Sequence, residues 1–235
     1  MKTIFVSDVH LSENFPNLVK KFLNFLSKNK KNLKFLYILG DLFDFWIGDD
    51  NQTELSKKIS LFIKNLVKNG TSCYFIRGNR DFLIGKKYAN SCGMKIIPNN
   101  SVLKIQGYSI IVMHGDQLLK KDKIYKIFSK FSRNRIIKNA FLKLPLKIRI
   151  KIAKILRKIS ISQKKKKKIF LIDKKNVEKI MNKNKASILI HGHTHICKSY
   201  RVSKKKICIS LGSWENFGSM VKIEKKRISL FKFSI

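Results

Sequence analysis

The stretch LIHGHTH, Leu189 to His195, places three of the chain's five histidines within five residues, directly after an apolar run. The other two stand in SDVH (His10) and MHGD (His114), each also behind an apolar run. Two further runs of this kind end in GDLFD, with Asp41 and Asp44, and in GNRD, with Asn79, Arg80 and Asp81, and SDVH also carries Asp8. Every histidine therefore sits at an expected strand end, a placement that scattered core histidines would not produce. Asp8 and His10 are two residues apart, as are His193 and His195. Along an extended strand end, side chains at i and i+2 point to the same face, so each pair is expected to aim two ligands at one spot. Gly115 and Gly192 beside them permit close backbone approach. Carboxylates mixed with imidazoles and an amide suit Mn, Fe or Zn, not an all-oxygen calcium site. Seven such ligands are too many for one catalytic ion that keeps a water, and suit two ions sharing a carboxylate. His191 precedes the turn and is expected to support the site, not to ligate.

These residues need strands to bring them together. TIFVSD (Thr3–Asp8), KFLYILGD and TSCYFIRGN read as buried strands. Between them, Leu18, Val19, Phe22, Leu23, Phe25 and Leu26 form a helical stripe, and LSKKISLFIKNLVKNG is a second amphipathic helix stopped by Gly70. This βαβαβ order predicts a largely parallel sheet with active residues at the carboxyl ends of its strands. After SIIVMHGD, residues from about 118 to 182 show no strand pattern; LPLKIRIKIAKILRKIS and the run Lys164–Lys168 predict a helical insertion. Strands then return, the last two forming a hairpin that turns at EKKR. The expected architecture is α/β, a single domain over residues 1–235 with a helical lid insertion at about 118–182.

Lys and Arg number 52 against 14 Asp and Glu, a formal net charge of +38. Such a field attracts polyanions: nucleic acid, an anionic membrane or phosphorylated substrates. Lysine, isoleucine and asparagine are over-used along the whole chain, however, so the total charge reads largely as compositional. No recognisable nucleic-acid module accompanies it, and no nucleic-acid partner is expected. The four cysteines form no CxxC pair and fit no zinc ribbon or disulfide framework, so they are expected to be reduced and mostly buried in strands. No apolar stretch is long enough to cross a membrane, and the amino-terminal apolar run is too short for a secretory signal, which predicts a cytoplasmic protein.

The set DVH, GDLFD, GNRD, MHGD and HGHTH, in this order, resembles the calcineurin-like metallophosphoesterase superfamily. The resemblance implies a β-sandwich of two mixed sheets flanked by helices, which modifies the mainly parallel reading. It implies one metal held by Asp8, His10, Asp41 and His195 and another by Asp41, Asn79, His114 and His193, with Asp41 as the bridge. Two cations would generate a hydroxide for in-line attack on phosphorus. Arg80 could add positive charge in the transition state or merely pair with Asp81 or Asp44. Asp41, Asn79, Arg80 and His114 are the expected catalytic set.

A narrower likeness runs over nearly the whole chain. SDVHLSENFP, YILGDLFDFWIGDD, CYFIRGNRDFLIGKKYA, LPLKIRIKIAKILR and LGSWENFGSMVK are similar to the UDP-2,3-diacylglucosamine pyrophosphatase family of lipid A biosynthesis. That family uses manganese, implying two Mn²⁺ per chain, and attacks the α-phosphate to give UMP and 2,3-diacylglucosamine 1-phosphate. Substrate contacts are implied at Asn79, Arg80, Asp122, Ser160, Lys164, Lys167 and His193, although Lys164 stands where the family usually carries a neutral residue. The resemblance further implies a monomer, peripheral on the cytoplasmic side of the inner membrane, whose insertion would offer an apolar groove for a two-tailed substrate.

Overall fold

A computed structural model of the chain describes residues 1–119, 134–165 and 172–235. The elements run β1 (Lys2–Val6), α1 (Pro16–Asn29), β2 (Leu33–Ile38), α2 (Glu54–Lys68), β3 (Ser72–Phe75), α3 (Lys86–Cys92), β4 (Lys95–Ile96), β5 (Ser101–Ile105) and β6 (Tyr108–Met113). A 3₁₀ turn follows at Asp116–Leu118, then α4 (Arg135–Lys143), α5 (Leu146–Lys165), α6 (Lys174–Lys183), β7 (Ile188–His195), β8 (Lys198–Ser203), β9 (Lys206–Gly212), β10 (Phe217–Glu224) and β11 (Arg227–Ser234).

Two mixed sheets result, ordered β11-β10-β1-β2-β3-β4 and β5-β6-β7-β9-β8. The expected parallel core is present, β1 to β4 in the first sheet and β6-β7-β9 in the second. Antiparallel strands flank both: β10 and β11 in the first, β5 and β8 in the second. The βαβαβ order of the first half does not contain these; β8, β10 and β11 come from the later runs read as strands, and two mixed sheets are what the family resemblance implies. The hairpin at EKKR is as expected, with Glu224 paired to Arg227 and both Lys225 and Lys226 at positive φ, as a tight two-residue turn requires.

Alternation along the strands sorts the core into three layers. Phe5, Tyr37, Ile110, Val112, Ile188, Ile190 and Val221 meet between the sheets. Ile4, Val6, Leu36 and Ile38 face the other way, onto Val19, Phe22 and Leu26 of α1 and Ile59 and Ile63 of α2. On the second sheet, Ile111, Met113, Leu189 and Cys208 pack under Val177 and Met181 of α6. The central strands are thus covered on both faces, which is why they read as unbroken apolar runs. Helix α2 is capped by Thr53, whose hydroxyl accepts from Ser56 N, and ends at Lys68, with Thr71 N bonding back to Leu66 O.

Helix α4 leans on the layer beneath α1 and α2 through Phe141 and Leu142. Ile136, Ile148 and Ile155 on α4 and α5 are exposed. Cys73 and Cys208 lie in strands as expected, whereas Cys92 ends α3 and Cys197 lies in the link before β8; all four are free.

Candidate metal centre

The carboxyl ends of β1, β2 and β3 in one sheet and of β6 and β7 in the other meet along one edge of the sandwich. Asp8 and His10 follow β1, Asp41 follows β2, Asn79 and Arg80 follow β3, His114 follows β6, and His193 and His195 close β7. The strand-end loops are stitched together by their backbones. Asp8 N donates to Gly40 O (3.1 Å), His10 N to Asp41 O (3.0 Å) and Gly192 N to His114 O (2.8 Å). A Cβ on Gly192 would fall 1.9 Å from Ser7 Oγ and 2.2 Å from Asp8 Oδ2, so the two sheets can approach this closely only over a glycine.

The i and i+2 expectation is met in outcome but not by extended backbone. Asp8, His10, Asp41, His193 and His195 all have φ between 53° and 67°. Each non-glycine residue in this left-handed region costs about 1–2 kcal/mol. Five of the seven expected ligands are therefore held in strained backbone, and β7 slips register against β9 between His191 and His195. The surrounding hydrogen bonds and packing must offset that strain.

The seven side chains converge. His10 Nε2 lies 3.2 Å from His195 Nε2, and His195 Nε2 lies 3.5 Å from Asp8 Oδ1. Asn79 Oδ1 is 2.8 Å from both His114 Nε2 and His193 Nδ1, and those two nitrogens are 3.2 Å apart. His114 Nε2 stands 3.8 Å from Asp41 Oδ2. Ligand atoms of Asp8, His10 and His195 lie within 4.8 Å of one another, as do those of Asp8, Asp41 and His114. Asp8 belongs to both groups, whereas the family resemblance assigns the bridge to Asp41. Asp8 Oδ1 is buried with no hydrogen-bond partner. An anionic oxygen left so among converging imidazole nitrogens fits a divalent cation.

The ionisable groups of the centre act strongly on one another. Burial would raise the Asp8 carboxyl, but His195 close beside it, then the charges of His114 and His10, hold it well below the usual carboxylate range. Burial raises Asp41, with His114 opposing and the like charge of Asp8 adding. Burial would lower His114, but Asp41 and Asp8 carry it to about 9. Burial takes His193 down to about 3, so its imidazole is neutral, the form that binds a metal. His114 Nδ1 donates to Leu39 O at 2.9 Å, which leaves Nε2 to point into the site. His191 is fully buried, donates Nδ1 to Gly192 O, and does not join either ligand group.

Arg80 takes the second of its two expected partners. Its Nη1 meets Asp44 Oδ1 at 2.5 Å, while Nε lies 3.9 Å from Asp41 Oδ2 and its backbone N donates to Asp41 Oδ1 at 2.9 Å. Asp81 does something the sequence reading did not foresee. It is fully buried and accepts from the backbone N–H groups of Asp41 (3.2 Å), Leu42 (2.7 Å) and Gly78 (2.8 Å), tying the β2 and β3 loops together. The available signal was the aspartate three residues after Gly78, a spacing that lets a side chain cap its own loop. Ser160 and Lys164 lie on α5, and Asp122 and Lys167 fall outside the described residues.

A two-sheet sandwich with carboxylates, imidazoles and an amide gathered at its strand ends defines a class, and the calcineurin-like phosphoesterase family, matching residues 1–197, is the family to which this chain belongs. Within it, the chain is similar over its full length to proteins named UDP-2,3-diacylglucosamine hydrolase. The one from Wigglesworthia glossinidia brevipalpis is 46% identical over 237 residues, covering 100% of this chain and 95% of that one. The one from Salmonella arizonae is 39% identical over 240 residues, covering 100% of each. Among solved structures, a dimetal phosphatase from Danio rerio superposes with a TM-score of 0.54 at 10% identity, covering 100% of this chain and 96% of that one, a likeness of fold.

Proposed function

We propose that this protein hydrolyses the pyrophosphate bond of UDP-2,3-diacylglucosamine at the α-phosphate, releasing UMP and 2,3-diacylglucosamine 1-phosphate. The observation that carries the reading is the convergence of Asp8, His10, Asp41, Asn79, His114, His193 and His195, with Arg80 beside them, in a chain whose full-length relatives bear that substrate in their names. We assign the centre to two Mn²⁺ ions. When bound, they supply Lewis acidity that polarises the phosphoryl group and lowers the pKa of water.

The protein's own residues then have separable tasks. Asp8, His10 and His195 form one end of the ligand shell; Asn79, His114 and His193 form the other, and Asp41 lies between His114 and Arg80. Arg80, oriented by Asp44, presents a guanidinium to the non-bridging phosphoryl oxygens, where charge develops. His193, Arg80 and Asn79, with Ser160, Lys164, Lys167 and Asp122, are the proposed substrate contacts.

Among the described residues no helix is long and apolar enough to cross a membrane. Helices α4 and α5 expose Ile136, Ile148 and Ile155 among Lys143, Lys147, Lys151 and Lys154. Apolar tips in a basic surround suit the headgroup boundary of an anionic bilayer, which supports a peripheral seat at a membrane surface. To this reading belong a monomeric state, the cytoplasmic face of the inner membrane as the seat, and the 118–182 segment as lid.

The test is UMP release from UDP-2,3-diacylglucosamine across a panel of divalent metals. Mn²⁺-stimulated release, abolished in Asp41→Ala, is the expected outcome. Comparable turnover of single-stranded DNA, with none of the lipid nucleotide, would replace the reading with a nucleic-acid phosphodiesterase.

A further inference from the structure

Arg149 is the only buried arginine or lysine among the described residues of the helical segment, and its guanidinium is spent on one loop. Nη1 donates to Ile47 O at 2.7 Å and to Asp50 Oδ1 at 2.9 Å, Nη2 donates to Asp50 Oδ2, and Nε donates to Leu144 O at 2.9 Å, where α4 passes into α5. This is a bidentate fork plus two carbonyl caps, a geometry that lysine cannot reproduce. A Cβ on Gly48 would lie 2.4 Å from Arg149 Nη1 and 3.1 Å from Leu142, so the loop is seated against both helices with no room to spare.

The loop so held reaches the metal centre in a few bonds. Three residues before Ile47, Asp44 holds the Arg80 guanidinium, and between them Trp46 N donates to Arg80 O at 3.0 Å. In the loop after β3, Lys138 of α4 donates to Phe82 O at 3.0 Å, two residues beyond Arg80. The two helices are therefore fastened to both loops that present Arg80, and Arg149 makes the stronger attachment.

We propose that Arg149, with Asp50, is a positioning pair that sets the register of α4 and α5 against the two loops that present Arg80, and through it the seating of the substrate's lipid portion against the reacting phosphate. The proposal rests on the substrate reading above. Arg149 touches no metal ligand, so its contribution separates from the chemistry. Losing the clamp shifts the helices relative to the site, while the ligand shell and Arg80–Asp44 pair keep their own supports.

The test compares wild type, Arg149→Met and Asp50→Asn, each loaded with Mn²⁺, on UDP-2,3-diacylglucosamine and on bis(4-nitrophenyl) phosphate, a diester too small to engage the helices. Asp50→Asn leaves the Ile47 and Leu144 acceptors in place and guards against a folding failure of the first variant. The expected result is a KM for the lipid nucleotide raised about tenfold or more in Arg149→Met and less in Asp50→Asn, with small-diester turnover within about twofold of wild type, since a misplaced subsite costs binding of the remote group first. Equal losses on both substrates, or no loss on either, would overturn it. Amide hydrogen exchange supplies an arm independent of the substrate. Residues 135–155 should exchange faster in both variants while α1 does not change; unaltered exchange there refutes the clamp. If wild type releases no UMP but exchange responds as expected, the substrate reading fails and the clamp stands.

Discussion

His10 and His195, 185 residues apart in the chain, point their Nε2 atoms at each other across 3.2 Å. Two neutral imidazoles cannot both offer lone pairs across that gap without penalty, and Asp8 Oδ1 lies only 3.5 Å from His195 Nε2. A shared cation resolves the contact, and its removal should loosen both sheets at once. Holoprotein dialysed against chelator is expected to melt lower than the Mn²⁺-saturated form. At a free metal concentration of about 100 Kd the linkage is about 2.7 kcal/mol, which for a domain of this size is roughly 5–10 °C in Tm. His195→Ala should lose most of the increment. Identical melting curves with and without metal would remove the case for a metal centre.

Arg80 carries the only guanidinium in direct contact with the ligand shell among the described residues, and Asp44 aims it. Arg80→Ala is expected to lower kcat by about 10²- to 10³-fold with a smaller change in KM, the signature of an interaction made mainly in the transition state. Arg80→Lys should recover little, because a point charge on a flexible stem cannot pair with Asp44 and still present a planar fork. Asp44→Asn should fall between wild type and Arg80→Ala. Steady-state kinetics of the three variants decide this, and full activity in Arg80→Lys would reduce Arg80 to a bulk charge.

Asp81 shows how a carboxylate can matter without touching substrate. Its two oxygens accept three backbone N–H groups from both metal-bearing loops. In Asp81→Asn one oxygen becomes an NH₂ that faces an N–H, leaving a buried donor unsatisfied at a cost of about 1–3 kcal/mol. Urea unfolding of the metal-free protein should show that loss. Because the metal-free form is measured, the effect cannot come from altered metal affinity; an unchanged midpoint would mean that the loop bonds rearrange without cost.

Much of this site could be read from the chain, and the reasons are specific. The central strands are covered on both faces, so their apolar runs stood out, and each run ended in a ligand. The i and i+2 spacing of Asp8 with His10 and of His193 with His195 marked them as pairs. It gave the wrong backbone, because left-handed φ at charged residues is sustained by tertiary contacts that no local pattern encodes. Flanking strand β5 was harder, because it alternates with exposed positions, whereas CKSYRVS reads as a strand although β8 is an edge with no fully buried residue. Arg149 was invisible as a support, and Asp81 showed only its local bond to Gly78. Their other partners, the Asp41, Leu42 and Ile47 backbones and the Asp50 carboxylate, are distant in the chain, and only the fold brings them close.

Lys138 offers a pH-dependent check on how α4 is attached. Burial, aided by the positive charge of Arg77 and only partly opposed by Asp49, lowers its amine from the ordinary 10.5 to about 8. Its Nζ donates to Phe82 O. Below pH 8 the folded and unfolded states both carry the proton, and the folded state bears the full penalty of holding a charge out of water. Between about 8 and 10.5 the folded state has released the proton while the unfolded state retains it. The unfolded state then binds more protons, so stability rises with pH across that window. Lys138→Met lacks the titrating group. The stability of wild type relative to Lys138→Met should therefore increase from pH 8 to pH 10.5, with the other lysines cancelling in the difference. Denaturant unfolding of both proteins at pH 7, 8.5 and 10 measures it. Parallel pH profiles would show that Lys138 reaches water freely and that α4 is not anchored through its amine.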